Sequence, residues 1–168
     1  MASKPDYDPN RINESWDELQ EGSSLYHRAT QGQYAPGSVF KIITTIAYVR
    51  SNPDTYLDYE FECTGEYTSE GKTVHCAKNK AHGHLNLEES FVFSCNCSYA
   101  SMIADIDLDI LNEVCEQLMF DIELPIGLES SFSHFTLSEE DSMALKMETA
   151  FGQGKTLVSP LHVAMIMS

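Results

Sequence analysis

The stretch YAPGSVFKIITTIAYV, Tyr34 to Val49, decides how the chain is read. Its apolar positions Val39, Ile42, Ile43, Ile46, Ala47 and Val49 recur at helical spacing behind the Pro36-Gly37 turn, until Asn52-Pro53 ends the pattern. The β-branched content gives a strand reading some weight, but length and period predict a mostly buried helix over 38–52. Ser38 and Lys41 stand at its mouth. Residues at i and i+3 share a helix face, so this spacing puts an amine one turn from a hydroxyl. A serine hydroxyl is nearly inert until a neighbour takes its proton, and a lysine can do so only when burial or another cation lowers its pKa. Val39, Phe40 and Ile42 offer that burial. A helix start adds free amides and a dipole that favour developing negative charge.

Spacing alone is weak support. Ser69-Glu70-Gly71-Lys72 repeats S-x-x-K on a glycine-containing turn, where no helix holds the pair in register, and is read as accidental. An N-cap serine beside a snorkelling lysine would equally explain Ser38 and Lys41. A second element changes the balance: Ser94-Cys95-Asn96 is the only S-x-N in the chain and falls between two expected helices. It could be an ordinary turn, or it could present a hydroxyl for proton relay and an amide for a substrate carbonyl.

Around these motifs, residues 1–37 are rich in turn signals and read as a loop-rich lead-in. Tyr59–Cys63 and Lys72–Cys76 alternate about Gly65 and Gly71, predicting a hairpin within 59–76. The remainder, 86–168, reads as helical. Asn86 opens a helix through Phe93, a second runs from Cys97 to about Asp105, and Leu108 to Leu118 marks a third. Ser138-Glu-Glu-Asp141 is expected to cap a helix bearing Met143 and Met147, and Ser159-Pro160 to start the last. The fold class is therefore mainly α with a small β-hairpin, in one domain over 1–168.

Composition excludes more than it nominates. Ten basic against 26 acidic residues give a formal net charge of −16, which argues against nucleic acid and anionic lipid. No apolar run is long enough for a membrane segment, and the acidic first twenty residues do not resemble a signal peptide, so the chain as given reads as soluble. Gly154-Lys155-Thr156 mimics a P-loop end but lacks its first glycine, where Thr149 stands. Five cysteines without a CxxC pair argue against a dense disulfide framework. Cys63, His75, Cys76, His82 and His84 are metal-capable, yet C-x12-C with irregular histidines is not a defined zinc spacing. No metal and no cofactor are assigned. Buried free thiols are favoured over a Cys63–Cys76 disulfide, and that over a structural metal.

S-x-x-K followed by S-x-N is the motif order of penicillin-binding proteins and serine β-lactamases. Four stretches carry the resemblance further: MASKPDYDPNRI, YHRATQGQYAPGSVFK, HGHLNLEESFVFSCNCSYA and AFGQGKTLVSPLHVAMIMS, which follow family order across nearly the whole chain. The sequence resembles the high-molecular-weight penicillin-binding transpeptidases that cross-link peptidoglycan. The resemblance implies the helical portion of their α+β fold with most central-sheet strands missing, the domain being truncated at both ends and Met1 an interior methionine. It makes Ser38 the acylated nucleophile, Lys41 its general base, and Ser94 and Asn96 the second-motif pair, with no substrate-binding residue assigned. Stem peptides ending in D-Ala-D-Ala and β-lactams are the implied partners, and an extracytoplasmic, membrane-anchored parent the implied location. Self-association through exposed helix faces is a further expectation. A minority of the family holds zinc near the cysteine-rich stretch. The third family motif, Lys-Thr-Gly, does not occur in these 168 residues, since Lys72-Thr73 and Lys155-Thr156 are followed by Val74 and Leu157. Weak or absent activity of the chain alone is therefore expected. The rival expectation is a noncatalytic family remnant or engineered subdomain that acylates nothing.

Overall fold

A computed structural model describes residues 4–168; Met1 to Ser3, which open the lead-in, lie outside the described residues. The lead-in is less loop-like than its turn signals suggest. After a 3-10 segment at Pro9–Glu14 it carries α1 (Trp16–Glu21) and α2 (Arg28–Gln31), each a single turn or little more. The expected helix over 38–52 forms as a 3-10 turn, Gly37–Phe40, running directly into α3 (Lys41–Ser51).

Four short strands follow: β1 (Glu60–Cys63), β2 (Glu66–Ser69), β3 (Lys72–His75) and β4 (Gly83–Asn86). Their pairing differs from the expected partnership of 59–63 with 72–76. Glu70 and Gly71 both take positive φ, 47° and 80°, and this two-residue turn fixes Ser69 opposite Lys72, pairing β2 with β3. β1 is left to pair with β4, Cys63 opposite Gly83. The result is two separate antiparallel two-stranded sheets.

Next come α4 (Leu87–Val92), α5 (Asn96–Met102), α6 (Leu108–Gln117), α7 (Met143–Ala150) and α8 (Pro160–Ile166). Their starts are chemically marked. Asn86 Oδ1 accepts from Glu89 N at 2.8 Å while Glu89 Oε2 accepts from Asn86 N at 3.0 Å, a reciprocal cap. Ser159 caps α8 with Pro160 at the first turn, as expected. The cap of α7 is Ser142 rather than Ser138. Ser138 N and Oγ both donate to the Asp141 carboxylate, closing a turn that ends before the helix begins. The helical stretch is also interrupted, since 118–142 is mostly irregular.

The core lies beneath α3. Ile43, Ala47 and Tyr48 of α3 pack with Leu111, Val114 and Cys115 of α6, and with Tyr99, Met102, Ile103 and Met147 around α5 and α7. Cys63, Cys76, Leu85, Cys95 and Cys97 form a second, smaller buried cluster under the two sheets.

Candidate active site

Gly37, at φ 56°, turns the chain into the 3-10 segment. Three residues per 3-10 turn eclipse i and i+3, so Ser38 and Lys41 project side by side. Ser38 is exposed, whereas Lys41 is 1% exposed. Four contacts hold this turn. The Phe40 ring stacks on Phe135 at 5.8 Å between centroids and meets Phe120 edge-on at 6.3 Å. Gly37 N donates to Gly152 O at 2.9 Å, and Thr44 Oγ1 donates to Ala150 O at 2.8 Å. The Gly152 approach is so close that a Cβ there would sit 2.1 Å from Gly37 O, at a φ of 77°. The Gly152-Gln153-Gly154 segment is thus the backstop of the serine turn.

The second motif meets Lys41 from the other side. Ser94, at φ 49°, ends the α4 region and delivers Asn96 to the start of α5. Lys41 Nζ donates to Ser94 O at 2.6 Å, Ser94 Oγ at 2.9 Å and Asn96 Oδ1 at 2.8 Å, and lies 5.2 Å from the Tyr99 ring centroid. Ser94 Oγ is in turn 2.9 Å from Ser38 Oγ. The structure therefore brings Ser38, Lys41, Ser94 and Asn96 together. It adds one detail that spacing did not suggest: among the described residues, the hydroxyl of Ser38 bonds to Ser94 and reaches Lys41 only through it. Burial pulls the Lys41 pKa from 10.5 down to about 8, opposed by the thiols of Cys95, Cys76 and Cys97. A shallow groove of about 180 Å³ beside Asn96 is lined by Lys72, Thr73, His75, Glu148 and Gln153. A larger hollow, about 530 Å³, lies against the lead-in at Tyr7, Arg11 and Glu18 and touches none of the four residues.

The penicillin binding protein transpeptidase domain matches residues 1–168. The chain belongs to this family. Among relatives, it is 28% identical to the peptidoglycan D,D-transpeptidase PbpA of Mycolicibacterium smegmatis, over 99% of this chain and 36% of that protein. It is 26% identical to the stage V sporulation protein D of Bacillus subtilis, over 99% of this chain and 25% of that one. The chain thus spans about a quarter to a third of the length of these relatives. Among solved structures, penicillin-binding protein A of M. tuberculosis, as an imipenem acyl-enzyme complex, superposes with a TM-score of 0.86 at 25% identity, covering 99% of this chain and 41% of that one. The D,D-transpeptidase domain of a peptidoglycan glycosyltransferase from Eggerthella lenta gives the same score at 23% identity, covering 99% and 44%, and supports the fold. The transpeptidase family's helical portion is the architecture described above. No helix among the described residues is long and apolar enough to cross a membrane.

In this family member the second motif also faces a group of sulfur atoms. All five cysteines are free and buried. Cys63 Sγ is 3.7 Å from Cys76 Sγ, too far for the roughly 2.05 Å of a disulfide. Cys76 Sγ is 3.6 Å from Cys95 Sγ and 3.4 Å from Cys97 Sγ, and Cys63 Sγ is 3.4 Å from His82 Nδ1. The donor atoms of Cys63, Cys76, His82 and Cys95 all lie within 4.8 Å of one another, a set that could hold a metal ion. Burial pushes the Cys95 and Cys97 thiols up. At Cys76 burial also pushes upward, but hydrogen bonds from Cys97, Cys95 and Cys63 outweigh it and hold the thiol below its ordinary value. Sequence reasoning assigned no ligands here because it weighed Cys63 and Cys76 with His75, His82 and His84 and left out Cys95. The fuller spacing, C-x12-C-x5-H-x12-C, runs through the second motif. His75 and His84 lie apart from the set, beside Glu66 and beside Glu60 and Glu62.

Proposed function

We propose that the chain carries the acyl-serine part of a D,D-transpeptidase site that serves peptidoglycan cross-linking outside the cytoplasm, and that β-lactams acylate the same serine. The observation that carries this reading is the unbroken row Ser38 Oγ, Ser94 Oγ, Lys41 Nζ, Asn96 Oδ1, with links of 2.8–2.9 Å, running through a buried lysine.

A neutral amine has two hydrogens and one lone pair. Lys41 in that form donates to Ser94 O and Asn96 Oδ1 and accepts from Ser94 Oγ–H, leaving Ser94 to accept from Ser38. Ser38 oxygen then attacks the carbonyl carbon of the penultimate D-Ala, and its proton passes through Ser94 to Lys41. Collapse of the tetrahedral intermediate breaks the peptide bond, and the leaving D-Ala nitrogen takes a proton back by the same route. An acceptor amine repeats the sequence in reverse and frees Ser38. Asn96 Nδ2 donates to His75 O at 3.3 Å, so its amide is oriented by β3, facing the groove a substrate backbone would follow.

The Ser38 amide, in the 3-10 turn before α3, is one oxyanion donor. In the resembling family the second comes from the strand bearing the third motif, which these 168 residues do not contain. Loss of one such donor costs about 10²–10³ in rate, so this chain by itself is expected to acylate slowly and to turn over little stem peptide. Incubation with a fluorescent penicillin and peptide mass mapping tests the reading. A label on the peptide containing Ser38, lost in Ser38→Ala, is the expected result; a wild-type chain that remains unlabelled after prolonged incubation would make it a helical module without acyl chemistry.

A further inference from the structure

The groove beside Asn96 has a strand edge for one wall. β2 and β3 form a sheet of two strands, so one edge of β3 meets no neighbouring strand among the described residues. Along an antiparallel ladder, pairs that exchange backbone bonds alternate with pairs that do not. The two-residue turn makes Ser69 and Lys72 a bonded pair, and Tyr67 and Val74 the next. Thr73 and His75 therefore direct their N–H and C=O groups away from β2. The bond from Asn96 Nδ2 to His75 O, at 3.3 Å, fits that direction. Thr73 N, Thr73 O and His75 N have no hydrogen-bond partner among the described residues. Both residues are exposed, and both line the groove.

A strand with bare alternate backbone groups, set in a groove beside the end of a helix, can take up an extended peptide as an added strand. Here the groove adjoins the nucleophile through both of its walls. Asn96 accepts from Lys41 Nζ, and Gln153 follows Gly152, whose O accepts from Gly37 N next to Ser38. The groove also carries one charge of each sign, since Lys72 on β3 pairs with Glu148 on α7. A pair this exposed is worth little by itself. It can open, and Glu148 is then free to meet an ammonium group.

We propose that the free edge of β3 takes up the acceptor peptide as a third, extended strand, bonded at Thr73 N, Thr73 O and His75 N, with Glu148 attracting its primary amine. The amine selects the occupant. An acyl acceptor must carry one, whereas a donor needs only its scissile amide, so a carboxylate in the groove favours the acceptor. The acceptor role rests on the acyl-serine reading; the strand pairing does not.

Amide NMR of the isotope-labelled chain, titrated with an N-acetylated L-Ala-D-Glu-L-Lys tripeptide, separates the two. This probe has one free amine and no D-Ala-D-Ala, so it cannot act as a donor. Saturable binding in the millimolar range is expected, moving the Thr73 and His75 amides downfield while the Lys72 and Val74 amides, already bonded to β2, move little. Acetylating the lysine amine and Glu148→Gln should each weaken binding about two- to fivefold, and the two losses should not add, because they remove one contact. Thr73→Pro deletes an N–H that β2 does not use and should weaken binding about fivefold, with the Tyr67 and Val74 amides in place as proof that the hairpin persists. Shifts spread evenly over 72–75, or no saturable binding to the wild-type chain, overturn the strand site whatever the variants do. Additive losses overturn the assignment of Glu148 and of the acceptor. A chain that pairs the tripeptide but never labels with penicillin counts against the acyl-serine reading and leaves the strand site standing; labelling without pairing does the reverse.

Discussion

The two S-x-x-K copies have the same spacing and opposite surroundings. Ser38 and Lys41 sit on a 3-10 turn entering α3, with Lys41 sealed beneath Ser94, Asn96 and the Tyr99 ring. Ser69 and Lys72 face each other across the two-residue turn of β2 and β3, and Lys72 reaches out to Glu148, each side chain more than a third exposed. A hydroxyl and an amine three residues apart become a reactive pair only where an element stacks them and a second segment strips water from the amine. In the hairpin the amine stays partly solvated and is taken up by an ion pair with Glu148 instead of the serine.

The strongest way to break this contrast is to exchange the lysines' fates. Lys41→Ala should lower penicillin labelling of Ser38 by about 10²–10⁴-fold, the usual worth of a positioned general base. Ser69→Ala should leave the labelling rate within about twofold, as surface changes do, and Lys72→Ala, at the edge of the groove beside Asn96, should cost far less than Lys41→Ala. Equal losses from Lys41→Ala and Lys72→Ala would show that burial does not distinguish the two copies.

A pH series sharpens the same point. Lys41 must be neutral to accept a proton and its pKa is held near 8, so labelling should fall about tenfold per unit as pH drops below 8 and level off above it. A profile flat from pH 6 to 9 would assign the base elsewhere. The folded-state value lies below the ordinary 10.5, so between about 8 and 10.5 the unfolded chain binds more protons. This group therefore makes the fold more stable as pH rises through that window.

How much of this could be read in advance depended on how local each cause was. The α4 and α8 starts were legible because Asn86, Glu89, Ser159 and Pro160 act within one turn. The α7 cap was not, because the Ser138–Asp141 bond competes with a helix start and the two look alike in one dimension. The strand partners hinged on two positive φ values at Glu70 and Gly71, to which a pattern of alternating residues is blind. At the site, Ser38, Lys41, Ser94 and Asn96 were found by motif order. The relay through Ser94, the Gly152 backstop and the sulfur cluster all join residues 13 or more positions apart, and only the fold brings them together.

Gly152→Ala probes the backstop. A Cβ placed 2.1 Å from Gly37 O, on a residue at φ 77°, must push the serine turn or the 150–154 segment away. The expected cost is about 1–3 kcal/mol in chemical denaturation, with slower labelling at Ser38, whereas Gly71→Ala, at a similar φ of 80° but with no atom within 4 Å, should cost less and leave labelling unchanged. Equal effects would show that strain, and not contact with the serine turn, decides both.

The smallest effect belongs to the solvated copy. Lys72 Nζ pairs with Glu148 Oε1, tying β3 to α7, with side chains 38% and 35% exposed. Exposed pairs contribute about 0.2–1 kcal/mol and are screened by salt. Lys72→Met should therefore shift the denaturation midpoint slightly at low ionic strength and almost not at all in 1 M salt. A large, salt-independent loss would mean that this lysine, like Lys41, works from a desolvated position, and the contrast between the two copies would narrow to the hydrogen bonds each amine makes.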